Sequence, residues 1–286
     1  MLPIPAEELN GSGTLGPYWT FYRAVVAEQL TRWLPDQPSV VLDLSGGRGR
    51  WSGQAARAGH RVIELLDFRR STSLSLTSAS LTSQSLSSQS SSSQSSSSQS
   101  LNSQSPSSPL MPDPQARLRD AGRVRHVRAD DLAFLPDESV DAVVAEERAM
   151  SIELMAESAM SDVFRVLRPG GRALICVDSL VLGMAILAEQ EQWQHLRQTG
   201  EVMLVPWPDG SITRCFSSAQ LRELLTGAGL EVEWVRPRTV LSPSTVDHVL
   251  GSDARSLAWL VRTELDAHPD DDDTVGIHLV ASARKT

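Results

Sequence analysis

The chain has 286 residues, 41% hydrophobic and 21% charged, which is enough to bury the core of one large α/β domain or two small ones. A net charge of −9 argues against a nucleic-acid-binding face, which needs clustered positive charge. No apolar run approaches the ~20 residues of a membrane span, and the opening MLPIPAEELNGSG lacks the basic start and apolar centre of a signal peptide, so a cytoplasmic location is expected.

Apolar residues at helical spacing, among them Tyr18, Tyr22, Val25, Leu30 and Trp33, predict a helix over 18–34, ended by Pro35. A strand (SVVLDL), a glycine-rich turn and a helix to Ala58 follow, with Gly59 as the stop and a second strand over 60–67. Strand, helix and strand at this length make a βαβ unit and imply a parallel sheet.

Between 71 and 108 the pattern breaks: 22 of 38 residues are serine and none is charged. Such a segment buries too little apolar surface to offset its ordering entropy, so 71–109 is expected to be a disordered insertion. It stands where a doubly wound fold carries the helix after its second strand.

Order returns with GRVRHVRAD as a third strand and VDAVVAEE as a fourth. A helix over 152–167 runs into RPGG, RALICVD forms a fifth strand, and a helical segment covers about 180–198. After a turn at Pro208-Asp209-Gly210, SSAQLRELLTGAG has an N-cap and a terminal glycine, and LEVEWVRPRTV and GIHLVASARK read as the last strands. The expected fold is α/β: a doubly wound, mostly parallel sheet of seven strands with helices on both faces. Residues 1–35 are assigned to an N-terminal helical segment or lid, and 36–286 to the main domain.

The glycine turn, VLDLSGGRGRWSG, narrows the chemistry. Glycines there let backbone N–H groups approach a ligand closely. A triphosphate loop needs GxxxxGK followed by Ser or Thr, and the turn has no lysine. A dinucleotide fold wants GxGxxG, but GRGRWS ends in Ser52, with Gly53 one position late.

VLDLSGGRG resembles the first motif of class I S-adenosylmethionine-dependent methyltransferases, commonly hhDhGxGxG (h, hydrophobic), with Ser45 in place of the first glycine. VRADDLAFLPDESVDAVV, VFRVLRPGGRALICV and RCFSSAQLRELLTGAGLEVEWV are similar to later family motifs in the same order, so the resemblance covers about 40–284 apart from the serine tract.

The resemblance implies S-adenosyl-L-methionine as cofactor. It places Asp43, Ser45, Gly46, Gly47 and Gly49 at the methionine portion and Asp67, with Glu64 as the fallback, on the ribose. Phe68 would cover the adenine ring, Asp130 or Asp131 would accept from the adenine amino group, and the Leu132 backbone would meet a ring nitrogen. The fourth strand's end brings Ala145, Glu146, Glu147 and Arg148 to the methyl group, where Glu146 or Glu147 would steady the sulfonium, orient an amine or act as base.

No catalytic residue is singled out. His195 and His248 are within plausible reach of the substrate side, although a surface role suits each histidine better. The aromatic residues of the first helix, with Trp193, Met203 and Trp207, line an acceptor pocket or form core under a lid. The acidic chain favours a small-molecule acceptor. The alternative function is a non-catalytic binding or interaction module on the same fold. Cys176 and Cys215 read as buried thiols, HPDDDD (268–273) as a solvated turn, and no metal site is expected. Nothing in the sequence sets an oligomeric state.

Overall fold

A computed structural model describes residues 16–46, 50–66, 68, 122–152, 155–192, 202–207, 211–239, 241–267 and 276–286. The serine tract, Gly47, Gly49, Asp67, Trp193, His195, the turn at 208–210 and the acidic run at 268–273 lie outside the described residues.

Seven strands form one sheet: β1 (Val40–Asp43), β2 (Arg61–Leu65), β3 (Val124–Val127), β4 (Val140–Ala145), β5 (Leu167–Asp178), β8 (Glu231–Arg238) and β9 (His278–Arg284). Their order is β3-β2-β1-β4-β5-β9-β8, and only β9 runs antiparallel to its neighbours. The expected fold class therefore stands. The chain leaves β1 for β2 on one side and reaches β4 on the other. This reversal opens a crevice at the strands' carboxyl ends, where ligands of open α/β sheets bind.

Both faces of the sheet are covered because the inner strands are apolar on both sides. On one face, Val26, Leu30 and Trp33 of α1 (Pro17–Trp33) and Trp51, Ala55 and Ala56 of α2 (Arg50–Arg57) pack with Val41, Ala142, Val144 and Leu174. On the other lie α3 (Ala149–Ile152), α4 (Ala156–Val166) and, after the hairpin below, α6 (Ser218–Gly227). Ser217 caps α6 through a reciprocal capping box with Gln220, as its sequence suggests.

Four local departures from the sequence reading have physical causes. The helix expected over 152–167 is found as α4 over 156–166, with the short α3 ahead of it, and RPGG belongs to β5 rather than to a closing turn. Gly170 takes φ 79° there and donates to the Lys285 carbonyl at 2.7 Å, so the loop is paired with the chain's last strand. The segment expected as helix to 198 gives α5 (Leu180–Glu189), followed by an unforeseen antiparallel hairpin of β6 (Met203–Pro206) and β7 (Ile212–Cys215). Two further helices, α7 (Pro243–Ser252) and α8 (Leu257–Asp266), pack on the outer side of α1 around Tyr18, Phe21 and Val25.

Candidate active site

The turn after β1 is organised by one buried carboxylate. Asp43 Oδ1 accepts from the Ser45 backbone N–H at 2.9 Å, and its Oδ2 accepts from the Ser52 hydroxyl at 2.6 Å. Burial pushes the Asp43 carboxyl above its usual range, and the Ser45 and Ser52 bonds pull it back. Both ends of the turn are thereby tied to the strand that precedes it.

Ser45 stands where the family motif has a glycine. The left-handed conformation instead falls on Gly46, at φ 73°, where no neighbour would oppose a Cβ but the backbone itself disfavours one. Ser45 is buried, and its hydroxyl accepts from the Glu146 N–H at 3.3 Å. The residue that departs from the family motif thus clasps the end of β1 to the end of β4, which a glycine cannot do.

Beyond β4 lies a continuous buried network. Glu146, which the resemblance offers as a base or a partner for the sulfonium, is bound to Arg238. The guanidinium grips it with two bonds, Nη2 to Oε1 at 2.7 Å and Nη1 to Oε2 at 2.9 Å. Both side chains are about 2–3% exposed, so the pair is sealed from water. Arg238 also donates to Gln29 Oε1 at 2.7 and 3.0 Å and to the Tyr22 hydroxyl at 3.4 Å. Burial works against its positive charge, yet Glu146 holds the guanidinium pKa well above its ordinary value.

The network continues through Tyr22, whose hydroxyl lies 3.2 Å from His278 Nδ1, to His278 Nε2, which faces Asp178 Oδ1 at 3.5 Å. Burial, with Arg238 and Arg148 nearby, lowers His278 to about 3, so the ring is neutral at physiological pH. A proton on Nε2, facing the carboxylate, leaves Nδ1 to accept from Tyr22. Asp178 is fully buried and takes Arg148 Nε on both oxygens, at 2.9 and 3.1 Å. Its carboxyl is raised by burial and lowered by Arg148. Arg148 in turn stacks on Trp207, 3.9 Å from the ring centroid.

Two consecutive residues, Glu147 and Arg148, adopt left-handed backbone at φ 57° and 65°. Such strain costs on the order of 1–3 kcal/mol for each non-glycine residue and persists where the surroundings dictate it. Here it turns the chain off β4 so that Arg148 reaches across to the end of β5.

These groups border a cavity of about 80 Å³ lined by Trp19, Tyr22, Trp51, Arg148, Trp207 and His278 among others. Trp51 Nε1 and Arg148 Nη2 are buried there with no hydrogen-bond partner among the described residues. Larger grooves of about 320 and 470 Å³ lie against α1 and α8, but they share no residue with the β1 turn or the β4 end.

The other expected site residues divide by environment. Leu132 and Phe68 are buried in one cluster with Leu65, and the Leu132 carbonyl accepts from Arg165 Nη2 at 2.8 Å. Asp130 and Asp131 are exposed, and Asp131 Oδ1 accepts from the Ala133 N–H at 3.0 Å. Glu64 is buried, with Oε2 2.7 Å from His126 Nδ1. His60 is buried at the entrance of β2 and accepts from the Ser39 N–H, far from the cavity. His248 lies on α7. Sequence reasoning passed over Arg238, Asp178 and His278, whose only signal is position: the three pair side by side where β5, β8 and β9 meet the crevice. Among the described residues no group of His, Cys, Asp and Glu is placed to hold a metal ion, and no helix is long and apolar enough to cross a membrane.

Comparison with known proteins agrees with this architecture. No curated protein sequence matches the chain. Among solved structures, a candidate S-adenosylmethionine-dependent methyltransferase from Listeria monocytogenes superposes with a TM-score of 0.50 at 13% identity, covering 93% of this chain and 99% of its own. The 1,6-didemethyltoxoflavin-N1-methyltransferase of Burkholderia thailandensis, solved with S-adenosylhomocysteine, gives 0.47 at 16% identity over 96% and 92%. An S-adenosylmethionine-dependent methyltransferase of Mesorhizobium loti gives 0.48 at 13% over 92% and 99%. At these identities the likeness concerns the fold. The family model described as a methyltransferase domain matches residues 18–235, more than half of the sequence. The chain therefore belongs to the methyltransferase domain family, in keeping with its resemblance to the class I S-adenosylmethionine-dependent enzymes.

Proposed function

We propose that this methyltransferase moves a methyl group from S-adenosylmethionine to a small-molecule acceptor held in the cavity beside β4. The observation that carries the reading is the bond from Glu146 to Ser45, which sets the glycine turn directly against the end of β4 and its aromatic cavity. The residues present suit the cofactor. Gly46 keeps the turn free of a Cβ, Asp43 fixes the turn from beneath, and Trp51 Nε1 is a buried donor awaiting an acceptor. The family resemblance assigns Gly47 and Gly49 to the methionine portion and Asp67 to the ribose hydroxyls, with Phe68, Asp130, Asp131 and the Leu132 backbone for the adenine.

When bound, the cofactor supplies a methyl group already activated by its sulfonium. The protein's part is then to position the acceptor and exclude water, worth up to about 7–11 kcal/mol in favourable cases. Tyr22, Trp51 and Trp207 give that cavity apolar walls. His278, with Nε2 turned to Asp178 and Nδ1 taken up by the Tyr22 hydroxyl, fixes the Tyr22 side chain at the cavity wall.

The test is a thermal-shift series with S-adenosylhomocysteine, S-adenosylmethionine and NADPH, followed by transfer of a labelled methyl group across a panel of small acceptors. Stabilisation by the two adenosyl ligands and a labelled product are expected. No response to either ligand would sink the reading, and binding without transfer would favour a non-catalytic module. Replacing Asp130 and Asp131 together by alanine is expected to weaken adenosyl-ligand binding; unchanged affinity would remove them from the adenine site.

A further inference from the structure

We propose that the acceptor is a flat aromatic compound bearing an anionic oxygen, and that Arg148 is the residue that selects it. This rests on the methyltransferase reading above and names its substrate class.

The aromatic character comes from an uneven distribution of residues. The chain has seven tryptophans and two tyrosines, and Trp19, Trp51, Trp207 and Tyr22 all line this one cavity. Trp207 is held rigidly, its Nε1 donating to Thr213 Oγ1 at 2.7 Å and its backbone N–H to the Ser211 carbonyl at 2.7 Å. Trp19 and Trp207 are partly exposed, whereas Trp51 is buried. A cavity of about 80 Å³ takes the edge of a ring, and the partly exposed tryptophans offer faces on which the rest of the ring can stack.

The anionic oxygen follows from Arg148. Its Nε is committed to Asp178 and one face of its guanidinium to Trp207, but Nη2 is buried without a partner among the described residues. An unsatisfied charged donor is costly, so its persistence at a cavity wall points to a ligand oxygen as the missing partner. The strained backbone at Glu147 and Arg148 is a second, independent sign that this arrangement is imposed. Two of the acids around the cavity are held in ion pairs, Glu146 with Arg238 and Asp178 with Arg148, and Glu147 lines it as well.

The carboxylate of the cofactor's methionine portion is the other possible source of such an oxygen. Position favours the acceptor. The glycine turn follows β1, whereas Arg148 leans from β4 away from β1 toward β5 and Trp207, the residue after β6.

Calorimetric titration of the full chain separates the two. The probes are hydroxybenzoates and hydroxyquinoline carboxylates, each paired with its neutral amide, in the presence and absence of S-adenosylhomocysteine. The acids are expected to bind at least about tenfold more tightly than their amides, the effect of one charge-assisted hydrogen bond. Arg148→Lys keeps a cation against Asp178 and gives up the planar fork. It is expected to erase most of that preference while S-adenosylhomocysteine affinity stays within about twofold.

Equal binding of acids and amides, or binding of neither, overturns the proposal. So does a variant that loses S-adenosylhomocysteine as strongly as the acids, because the oxygen then belongs to the cofactor. The acid–amide comparison uses the unaltered chain, so an unstable variant leaves it intact. A wild-type chain that ignores S-adenosylhomocysteine but prefers the acids refutes the methyltransferase reading alone.

Discussion

The crevice has two sides built by opposite means. On the β1 side, Asp43 organises a turn through partners two and nine residues away. On the β4 side, Arg238 reaches Glu146 across 92 residues and Tyr22 reaches His278 across 256. The first side is a local motif that any chain with this spacing can form. The second exists only after the sheet has assembled and brought the ends of β5, β8 and β9 together. Local bonding supplies a ligand-sized opening, and long-range bonding supplies the charge pattern that distinguishes this site from others on the same fold.

The comparison breaks most visibly at Arg238. Arg238→Met leaves Glu146 buried without its cation, and urea unfolding is expected to show a loss of about 3–5 kcal/mol. Combining it with Glu146→Leu should recover most of that loss. A double variant as unstable as the single one would mean that the network matters for its shape rather than for its charge.

His278 makes the same side sensitive to acid. In the unfolded chain its pKa rests near the ordinary 6.5, and in the folded chain it is about 3. Between these values the unfolded state binds the additional proton, so stability falls as pH drops from about 6.5 toward 3. His278→Asn should flatten that part of the stability profile, measured by denaturant titration at successive pH values. An unchanged slope would place the acid sensitivity elsewhere.

Smaller effects are expected on the β1 side. Asp43→Ala strands the Ser45 N–H and the Ser52 hydroxyl, at a cost of about 1–3 kcal/mol in unfolding free energy. Ser45→Gly restores the usual family residue and removes only the clasp to Glu146, so about 1 kcal/mol is expected, with adenosyl-ligand binding retained. A larger loss of binding in Ser45→Gly than in Asp43→Ala would reverse the roles assigned to the two residues.

The same contrast explains what could be read in advance. The βαβ start, the succession of sheet strands along the chain and the glycine turn after Asp43 were legible because each rests on periodicity or spacing within a short window. The hairpin of β6 and β7 was not, since four-residue strands such as MLVP and ITRC carry too few alternations to register. Helix α7 gave little warning because it buries only Val246 and so lacks a continuous apolar stripe. Ser45 was noticed as a departure, but its reason lay 101 residues away at Glu146. Glu146 is likewise held from afar, by Arg238 at the end of β8, a pairing across 92 residues that no local pattern announces.

The most direct test of the account is a calorimetric titration of the full chain with S-adenosylhomocysteine, wild type against Asp43→Ala. Binding at one site per chain is predicted, weakened at least about tenfold in the variant, as the loss of a charged hydrogen-bonding anchor requires. No binding to the wild-type chain, or equal binding to both, would contradict the claim that the turn held by Asp43 is the cofactor's seat.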